Sequence, residues 1–347
     1  MESNDEISIK QEANQVSINR PHVVVLGAGA SRATCLDGDK NGKNLPLTSD
    51  FVKVLGLKSL LEQWKINPDK NFEEIFSDLY ERQQTEKIME IRGIVKNYFN
   101  ELELPEKPTI YDHLVLSLRD KDIIATFNWD PLLLQAYSRC SKVGLSLPKL
   151  AFLHGNILVG YCEKDKIVTL RGICRKCGEF NTPSPLLYPI KNKNYADKFI
   201  ENEWQLLKWG FENAFMITIF GYSKPETDQE AIAAMQNAWG DKNKRLLEQT
   251  EVIDIKTENQ IYEDWKPFIH THHYEVHSNF YDSWISNHPR RTGEAWFNQY
   301  LQAKFIDNNP IPKNLGFPDL FGWYKQFYNA ERQNPSFSAK LRTNYME

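Results

Sequence analysis

Short runs of apolar residues alternate along this chain with longer stretches in which apolar residues recur at helical spacing. The first run, His22–Leu26, is rich in valine and ends at a glycine-rich turn. Further runs predict strands at Asp122–Thr126, Lys149–Leu153, Phe215–Phe220 and Glu251–Ile255. Strands that alternate with helices are typical of a parallel sheet with helices on both faces. We therefore expect an α/β, Rossmann-like fold.

The helical stretches and the less regular segments divide the chain into three parts. We expect residues 1–20 to form a flexible N-terminal arm and residues 21–260 to form the Rossmann domain. A small cysteine-containing module is expected at about 160–190, and an aromatic-rich C-terminal extension at 261–347. The predicted helices lie at Phe51–Trp64, Phe72–Leu104, Tyr111–Leu118, Asp197–Phe215 and Asp228–Trp239.

The composition is that of an ordinary globular protein, with 41% hydrophobic and 25% charged residues. A formal net charge of −4 argues against a surface built to bind nucleic acid. The polar first twenty residues contain no secretory signal, and no apolar run approaches the ~18–20 residues of a membrane helix. Five cysteines, an odd number, indicate reduced thiols or metal ligands. The expectation is a soluble cytoplasmic protein with no membrane contact and no evident direct nucleic-acid binding.

Unusual residues follow four of the predicted strands, at Gly27–Ser31, Asn128–Asp130, His154 and Gly221–Ser223. In a parallel α/β sheet, ligands bind at the carboxyl ends of the strands. These four strand ends are therefore expected to converge on one crevice.

The Gly27–Ser31 turn, Gly-Ala-Gly-Ala-Ser, follows a strand and opens a helix. Glycines let a backbone approach a pyrophosphate, and a helix N-terminus offers unpaired N–H groups. The third glycine of the Gly-x-Gly-x-x-Gly pattern is missing, and a purely structural turn is the alternative.

Four short motifs resemble those of the sirtuin family and occur in the same order. They are GAGAS from Gly27, TFNWD from Thr126, LHG from Leu153 and FGYS from Phe220. The segments LPLTSDF, NFEEIFSDL and GYSKPETD look closer to the sirtuin-like NAD-hydrolase domains of bacterial antiphage defence than to protein deacylases. The similarity covers about residues 22–256 and implies that NAD⁺ is bound as a substrate.

The resemblance implies roles for individual residues. Asn128 would position a water or a ribose hydroxyl, and Asp130 would meet the carboxamide, although both side chains could instead cap the following helix. His154 would be the catalytic base, since an unperturbed imidazole titrates near ~6.5, with a structural histidine as the alternative. The other expected cofactor-binding residues are Gly27, Ala28, Gly29, Ser31, Thr126, Gly221 and Ser223.

Cysteines in the 160–190 module suggest a structural zinc site. Cys162, Cys174 and Cys177 include a C-x-x-C pair that suits tetrahedral Zn²⁺. Sirtuins carry a fourth cysteine where this chain has Asp165, so a Cys₃Asp site, recruitment of Cys140 and loss of the metal all remain open. A separate histidine run, residues 270–273, could bind a metal or form a solvated strand edge.

Water, rather than an acylated lysine, is the expected acceptor of the ribosyl group. The Phe-Gly-Glu strand with which deacylases pair their substrate peptide is replaced here by PLLYPIKNKNY. We therefore expect an NAD⁺ hydrolase that yields ADP-ribose and nicotinamide. The resemblance to the defence domains implies that it depletes NAD⁺ in antiviral defence. An NAD-dependent protein deacylase and a catalytically weak NAD or ADP-ribose sensor are the alternatives.

The resemblance also implies assembly and partners. A homo-oligomer joined partly through the aromatic C-terminal extension is expected, with closure of the sheet by those aromatics as the alternative. A protein partner, such as a helicase-like ATPase or a nucleic-acid-sensing protein, would license the activity.

Overall fold

The computed structural model describes residues 5–190 and 193–335. The strands in these residues are β1 (Glu6–Ile7), β2 (His22–Leu26), β3 (Ile123–Thr126), β4 (Lys149–Phe152), β5 (Val159–Cys162), β6 (Ile167–Leu170), β7 (Thr182–Pro183), β8 (Met216–Phe220), β9 (Gln249–Ile253), β10 (Tyr274–His277) and β11 (Phe305–Ile306).

The helices are α1 (Ile9–Ala13), α2 (Ala28–Thr34), α3 (Phe51–Val54), α4 (Lys58–Gln63), α5 (Phe72–Glu81), α6 (Thr85–Asn100), α7 (Ile110–Leu116), α8 (Leu132–Cys140), α9 (Lys198–Asn213), α10 (Gln229–Trp239), α11 (Glu258–Trp265), α12 (Trp284–Asn287), α13 (Thr292–Trp296) and α14 (Phe317–Gln333). None of the helices in the described residues combines the length and the apolar character that a membrane crossing requires.

Six strands form one parallel sheet in the order β10-β9-β8-β2-β3-β4. Counted along the chain within this sheet, the order is 6-5-4-1-2-3, which is the order of the doubly wound Rossmann fold. β2 is the central switch strand, and its Leu26 pairs with Thr126 on one side and Phe220 on the other. The predicted fold class is therefore confirmed.

The strands β2, β3, β4 and β8 consist mostly of apolar residues because both faces of the sheet are covered. Every residue of β2, β3, β4 and β8 is buried. Gly210 lets α9 lie close to this sheet, since a Cβ at that position would come within 2.6 Å of Ile123. Close packing of this kind explains why these strands appear in the sequence as short, mostly apolar runs.

Three predicted elements differ from the structure. The helix expected over Phe51–Trp64 is split into α3 and α4, with Gly56 at a φ of 68° between them. β9 lies two residues earlier than expected, because its register against β8 pairs Ile253 with Phe220, and Ile255 beyond it is 91% exposed. The expected single helix over 72–104 is split into α5 and α6, with Gln83 at a φ of 54° between them. These differences arise from backbone geometry and strand register, which a pattern of apolar residues does not specify.

The expectation of a flexible arm at residues 1–20 is corrected for its described part, residues 5–20. β1 pairs in parallel with β11, and α1 packs against the C-terminal part of the chain. The buried carboxylate of Glu12 lies 2.8 Å from Nδ1 of His288. These contacts hold the segment on the domain; residues 1–4 lie outside the described residues.

The expected boundary near residue 260 is also wrong, because β10 lies beyond it and adds the sixth strand to the sheet. Phe268, Phe280, Trp284 and Trp296 are buried within the chain itself. These four aromatic residues therefore belong to the core, as the alternative interpretation held, whereas Phe297 is 36% exposed. The expected subunit contact stays a prediction. Residues 336–347 of the expected extension lie outside the described residues.

A buried ion cluster locks the last helix onto the fold. Glu331 of α14 accepts hydrogen bonds from Arg290 at 2.8 and 2.6 Å and from Arg291 at 2.7 Å. Arg290 also donates to the carbonyls of Leu116 and Leu118, at the end of α7. Burial alone would raise the pKa of Glu331, but the two guanidinium groups outweigh it and lower that pKa to about 2.

We predict that Glu331→Gln lowers the free energy of unfolding by about 3–5 kcal/mol, because it leaves two buried cations without their anion. The wild-type contribution should be complete above pH 4.5 and should be lost as the pH falls towards 2, since the folded-state pKa lies below the ordinary value. Urea denaturation at several pH values tests this. Glu263→Gln, at an exposed position on α11, is the control and should change little.

Candidate functional site

A cleft of about 800 Å³ opens at the carboxyl edge of the parallel sheet. Its walls come from the segments that follow β2, β3, β4, β8, β9 and β10, together with residues 45–51 and the first turn of α5. The volume falls within the range of small-molecule and cofactor sites. The sheet order places the cleft at the topological switch point, where doubly wound folds bind dinucleotides.

Three glycines bring two turns into backbone contact at the switch point. The N–H of Gly27 donates to the carbonyl of Phe220 at 3.0 Å, and the N–H of Gly29 donates to the carbonyl of Gly221 at 2.9 Å. A Cβ on Gly27 would lie 2.5 Å from the oxygen of Gly221, which itself has a φ of +60°. The glycines thus serve a structural turn, and the Gly29 amide is already engaged. The turns nevertheless contribute to the wall of the cleft, through Gly27, Ala28, Gly29 and Gly221.

A hydrogen-bonded cluster joins α2, α7 and the end of β3. The hydroxyl of Ser31 donates to Oδ2 of Asp130 at 2.6 Å and lies 2.7 Å from the hydroxyl of Tyr111. The amide of Asn128 donates to Ser31 at 2.9 Å and to the carbonyl of Gly27 at 2.8 Å. The cluster connects the glycine turn rigidly to the second strand end.

These bonds orient the Asn128 side chain. Both amide hydrogens are used on Gly27 and Ser31, and a reversed amide would set two oxygens against each other at Gly27. Oδ1 of Asn128 makes no hydrogen bond to the described residues, and Asn128 lines the cleft. This oxygen can accept a hydrogen bond from a water or a hydroxyl in the cleft.

Asp130 combines both of its expected interpretations. Its Oδ1 accepts from the N–H of Leu132 at 3.1 Å, as a helix-capping residue does, and the residue also lines the cleft. Burial raises the pKa of Asp130, although the Ser31 hydrogen bond opposes the shift.

Thr126 does not line the cleft, and its expected contact with a cofactor stays a prediction. The residue is 1% exposed, and its Oγ1 accepts from the backbone N–H of Asn128 at 3.0 Å. Thr126 instead holds the turn that presents Asn128.

His154 follows β4 and faces the same cleft. Its ring meets Phe127 edge to face, with centroids 4.7 Å apart, and its Nε2 lies 3.7 Å from Oδ1 of Asp228. Burial lowers the pKa of His154 to about 4, and Asp228 only partly opposes this. The imidazole is thus neutral at pH 7, with a far lower pKa than the unperturbed value assumed from the sequence.

A second polar group behind His154 was not foreseen from the sequence. Asp228 accepts from Lys193 at 2.7 Å and from the hydroxyl of Tyr222 at 2.8 Å. Glu73, beside them in the cleft wall, has its pKa raised by burial and by Asp228. Asp228 lies in GYSKPETD and Glu73 lies in NFEEIFSDL, so both of these segments carried a signal, whereas no motif indicated a role for Tyr111 or Lys193. Ser223, which was expected, is exposed and lines the cleft.

Cys162, Cys174 and Cys177 do come together. Cys162 ends β5 of the small sheet formed by β6, β5 and β7, and the other two cysteines lie in the segment between β6 and β7. Their sulfurs and a carboxylate oxygen of Asp165 all lie within 4.8 Å of one another. Cys174 Sγ is 3.3 Å from Oδ2 of Asp165, and Cys162 Sγ is 3.5 Å from Cys177 Sγ. Three thiolates and one carboxylate suit tetrahedral Zn²⁺, so these residues fit the metal.

Two other metal-binding ideas are not supported by the geometry. Cys140 is buried in the main core, where its sulfur lies 3.6 Å from the carbonyl of Asp112, far along the fold from the small sheet. Within the described residues, His270 and His272 belong to no group of converging metal ligands. Nε2 of His270 instead lies 2.9 Å from the carbonyl of Gly240.

Fold and site together define a Rossmann-type α/β protein with a ligand cleft at its switch point. No protein-family model and no curated protein matches the chain. Several solved structures are similar to this chain. One is a Sir2 homologue in complex with ADP ribose, at 12% sequence identity and a TM-score of 0.39; the alignment covers 92% of this chain and 97% of the Sir2 homologue. Another is a complex of Sir2 with a p53 peptide and NAD⁺, at 14% identity and a TM-score of 0.36, covering 84% and 95%. A sirtuin studied for substrate affinity matches at 16% identity and a TM-score of 0.37, covering 75% and 89%.

We predict one zinc ion per purified chain by elemental analysis. Cys174→Ser should release the metal and lower the melting temperature, because a structural site contributes to folding free energy directly. Cys140→Ser, at a buried thiol outside the cluster, is the control and should keep the metal. Wild-type protein that carries no zinc after purification without chelators would contradict the assignment.

Proposed function

We propose that this protein binds NAD⁺ in the cleft and hydrolyses its nicotinamide–ribose bond to give ADP-ribose and nicotinamide. One observation carries the proposal: Asn128, Asp130 and His154, at the ends of adjacent strands, face the same switch-point cleft as the Gly27 turn. Doubly wound sheets bind dinucleotides across this crevice. Together with the sirtuin-like motifs, this placement favours an NAD-consuming enzyme.

The side chains in the cleft suit hydrolysis. Oδ1 of Asn128 can hold the attacking water or a ribose hydroxyl, because the rest of its amide is anchored. A neutral His154 can accept a proton, and Asp228 at 3.7 Å would stabilise the imidazolium that forms. Fixed dipoles in the cleft would stabilise a cationic ribose while neutral nicotinamide leaves.

The segment that replaces the peptide-pairing strand of deacylases is occupied by contacts within the chain, which favours water as the acceptor. The ring of Tyr188 stacks on Phe76 with centroids 4.8 Å apart, and Ser77 donates to the carbonyl of Pro189 at 2.8 Å. The N–H of Leu187 donates to the carbonyl of His154 at 3.0 Å. A substrate peptide would have to compete with these contacts.

The biological setting we propose is NAD⁺ depletion in antiviral defence, within the cytoplasm. It is supported by the motif resemblance to the sirtuin-like domains of defence systems. We include in the proposal a homo-oligomer and activation by a protein partner, such as a helicase-like ATPase or a nucleic-acid-sensing protein, which would keep a toxic activity silent.

We predict that Asn128→Ala and His154→Ala each lower nicotinamide release by about 10²–10⁴-fold, since each removes a group positioned at the reacting bond. Chromatographic measurement of nicotinamide and ADP-ribose, with and without an acetylated peptide, checks this. Release of nicotinamide without the peptide indicates a hydrolase, and release only with the peptide indicates a deacylase. Tight binding of NAD⁺ without any release indicates a sensor. The exposed variants Asn213→Ala and His272→Ala are matched controls. Wild-type rates in both site variants would show that the site is misplaced.

The lowered pKa of His154, about 4, predicts that its catalytic form persists through mild acid. Turnover should therefore show no step near pH 6.5 and stay level from about pH 5.5 to 8. Stability should behave differently, because the unfolded imidazole takes up a proton below pH 6.5 while the folded one does not. Hence the free energy of unfolding should decrease as the pH drops from 6.5 towards 4. His154→Gln should make this dependence of stability on pH less steep. A rate that titrates near pH 6.5 would contradict the buried, neutral histidine.

A further inference from the structure

A second cleft, of about 560 Å³, lies on the other side of the segment 183–190 from the main cleft. Its walls are this segment, the turn at Asn156 and Ile157, the end of α5 and the middle of α6. The volume suits one small molecule rather than a peptide or a nucleic acid. The proposed hydrolysis makes no use of this cleft.

The rim of the second cleft is cationic. Arg92, Lys96 and Arg171 line it, and all three are exposed. None of them lies within 4 Å of a carboxylate in the described residues, and no lining residue from that part of the chain is acidic. Like charges gathered without counter-charges repel one another, so an anion that entered would relieve the repulsion.

One of these cations is already oriented. The guanidinium of Arg92 lies over the ring of Tyr188, 5.0 Å from its centroid. Arg171 reaches the opposite wall, where it lies 3.4 Å from the carbonyl of Ile157. Guanidinium groups favour phosphate because their planar donors match its oxygens in pairs.

Most of the remaining wall is apolar and includes Ile157, Pro185, Leu186 and the ring of Tyr188. A bare inorganic ion would leave these surfaces in contact with water. A ligand that carries both phosphate and an apolar or planar group would cover them. We infer that the second cleft binds a phosphate-bearing small molecule of about nucleotide size.

The two clefts share a wall. Leu187 and Lys193 line both, and Lys193 holds Asp228 at 2.7 Å. A phosphate near Lys193 would compete with the Asp228 carboxylate for the positive charge of the Lys193 ammonium group. The interaction between Asp228 and His154 would change as a result. This communication rests on the proposed function, whereas binding at the second cleft does not.

Calorimetric titration of the full chain with pyrophosphate, AMP and adenosine tests the site without any turnover of NAD⁺. We expect pyrophosphate and AMP to bind, adenosine to bind more weakly, and the double variant Arg92→Gln/Arg171→Gln to weaken AMP by about tenfold or more, since it removes charged hydrogen bonds. Hydrogen exchange should slow in residues 183–190 when AMP is bound to the wild type. Because AMP also fits the main cleft, we expect two binding events in the wild type and loss of one in the double variant.

Lys87→Gln is the matched control, since Lys87 lies on the same helix as Arg92 and outside the second cleft. An equal loss of affinity in this control would reduce the effect to general surface charge and overturn the site. So would unchanged AMP affinity in a folded Arg92→Gln/Arg171→Gln protein, or a wild type that binds neither pyrophosphate nor AMP at millimolar concentration. A protein that binds AMP at the second cleft but never cleaves NAD⁺ would refute the proposed function and leave this site intact.

Discussion

The backbone contact between Gly27, Gly29 and Gly221 is the constraint on which the rest of the structure depends. It joins the turns after β2 and β8 at the point where the strand order reverses. A side chain on any of the three would collide with the opposite backbone, so the turns would separate. The crevice between them would then change shape, and with it the positions of every strand end that lines the cleft.

Around that contact, buried polar groups form hydrogen bonds with one another. Ser31, Tyr111, Asn128 and Asp130 satisfy one another, and Asn128 is left with one oxygen facing the cleft. Such preorganisation costs stability when a partner is lost, but it holds dipoles in place before a substrate arrives. The neutral state of His154 has the same origin, because burial disfavours its charged form.

The two ends of the described chain complete this architecture. β10 adds the edge strand, and α14 is tied down by Glu331 between Arg290 and Arg291. Residues 5–20 pack on the same region through β1, α1 and the Glu12–His288 contact. The segments that looked peripheral in sequence thus cover the face and edge of the sheet, which would otherwise expose apolar surface and unpaired strand groups to water.

The sequence by itself determined the buried strands β2, β3, β4 and β8 and the residues that follow them, because short, mostly apolar runs and glycine turns are local signals. Once those strands are parallel, their ends must meet at one edge, so the cleft and the placement of Asn128, Asp130 and His154 followed. Tertiary structure alone decided that β10 joins the sheet, that Thr126 stays behind Asn128, and that Asp228 and Lys193 stand near His154. It also decided the pKa of His154. These properties arise from contacts between residues distant in the chain and from the removal of water, and neither is encoded in the spacing of neighbouring residues.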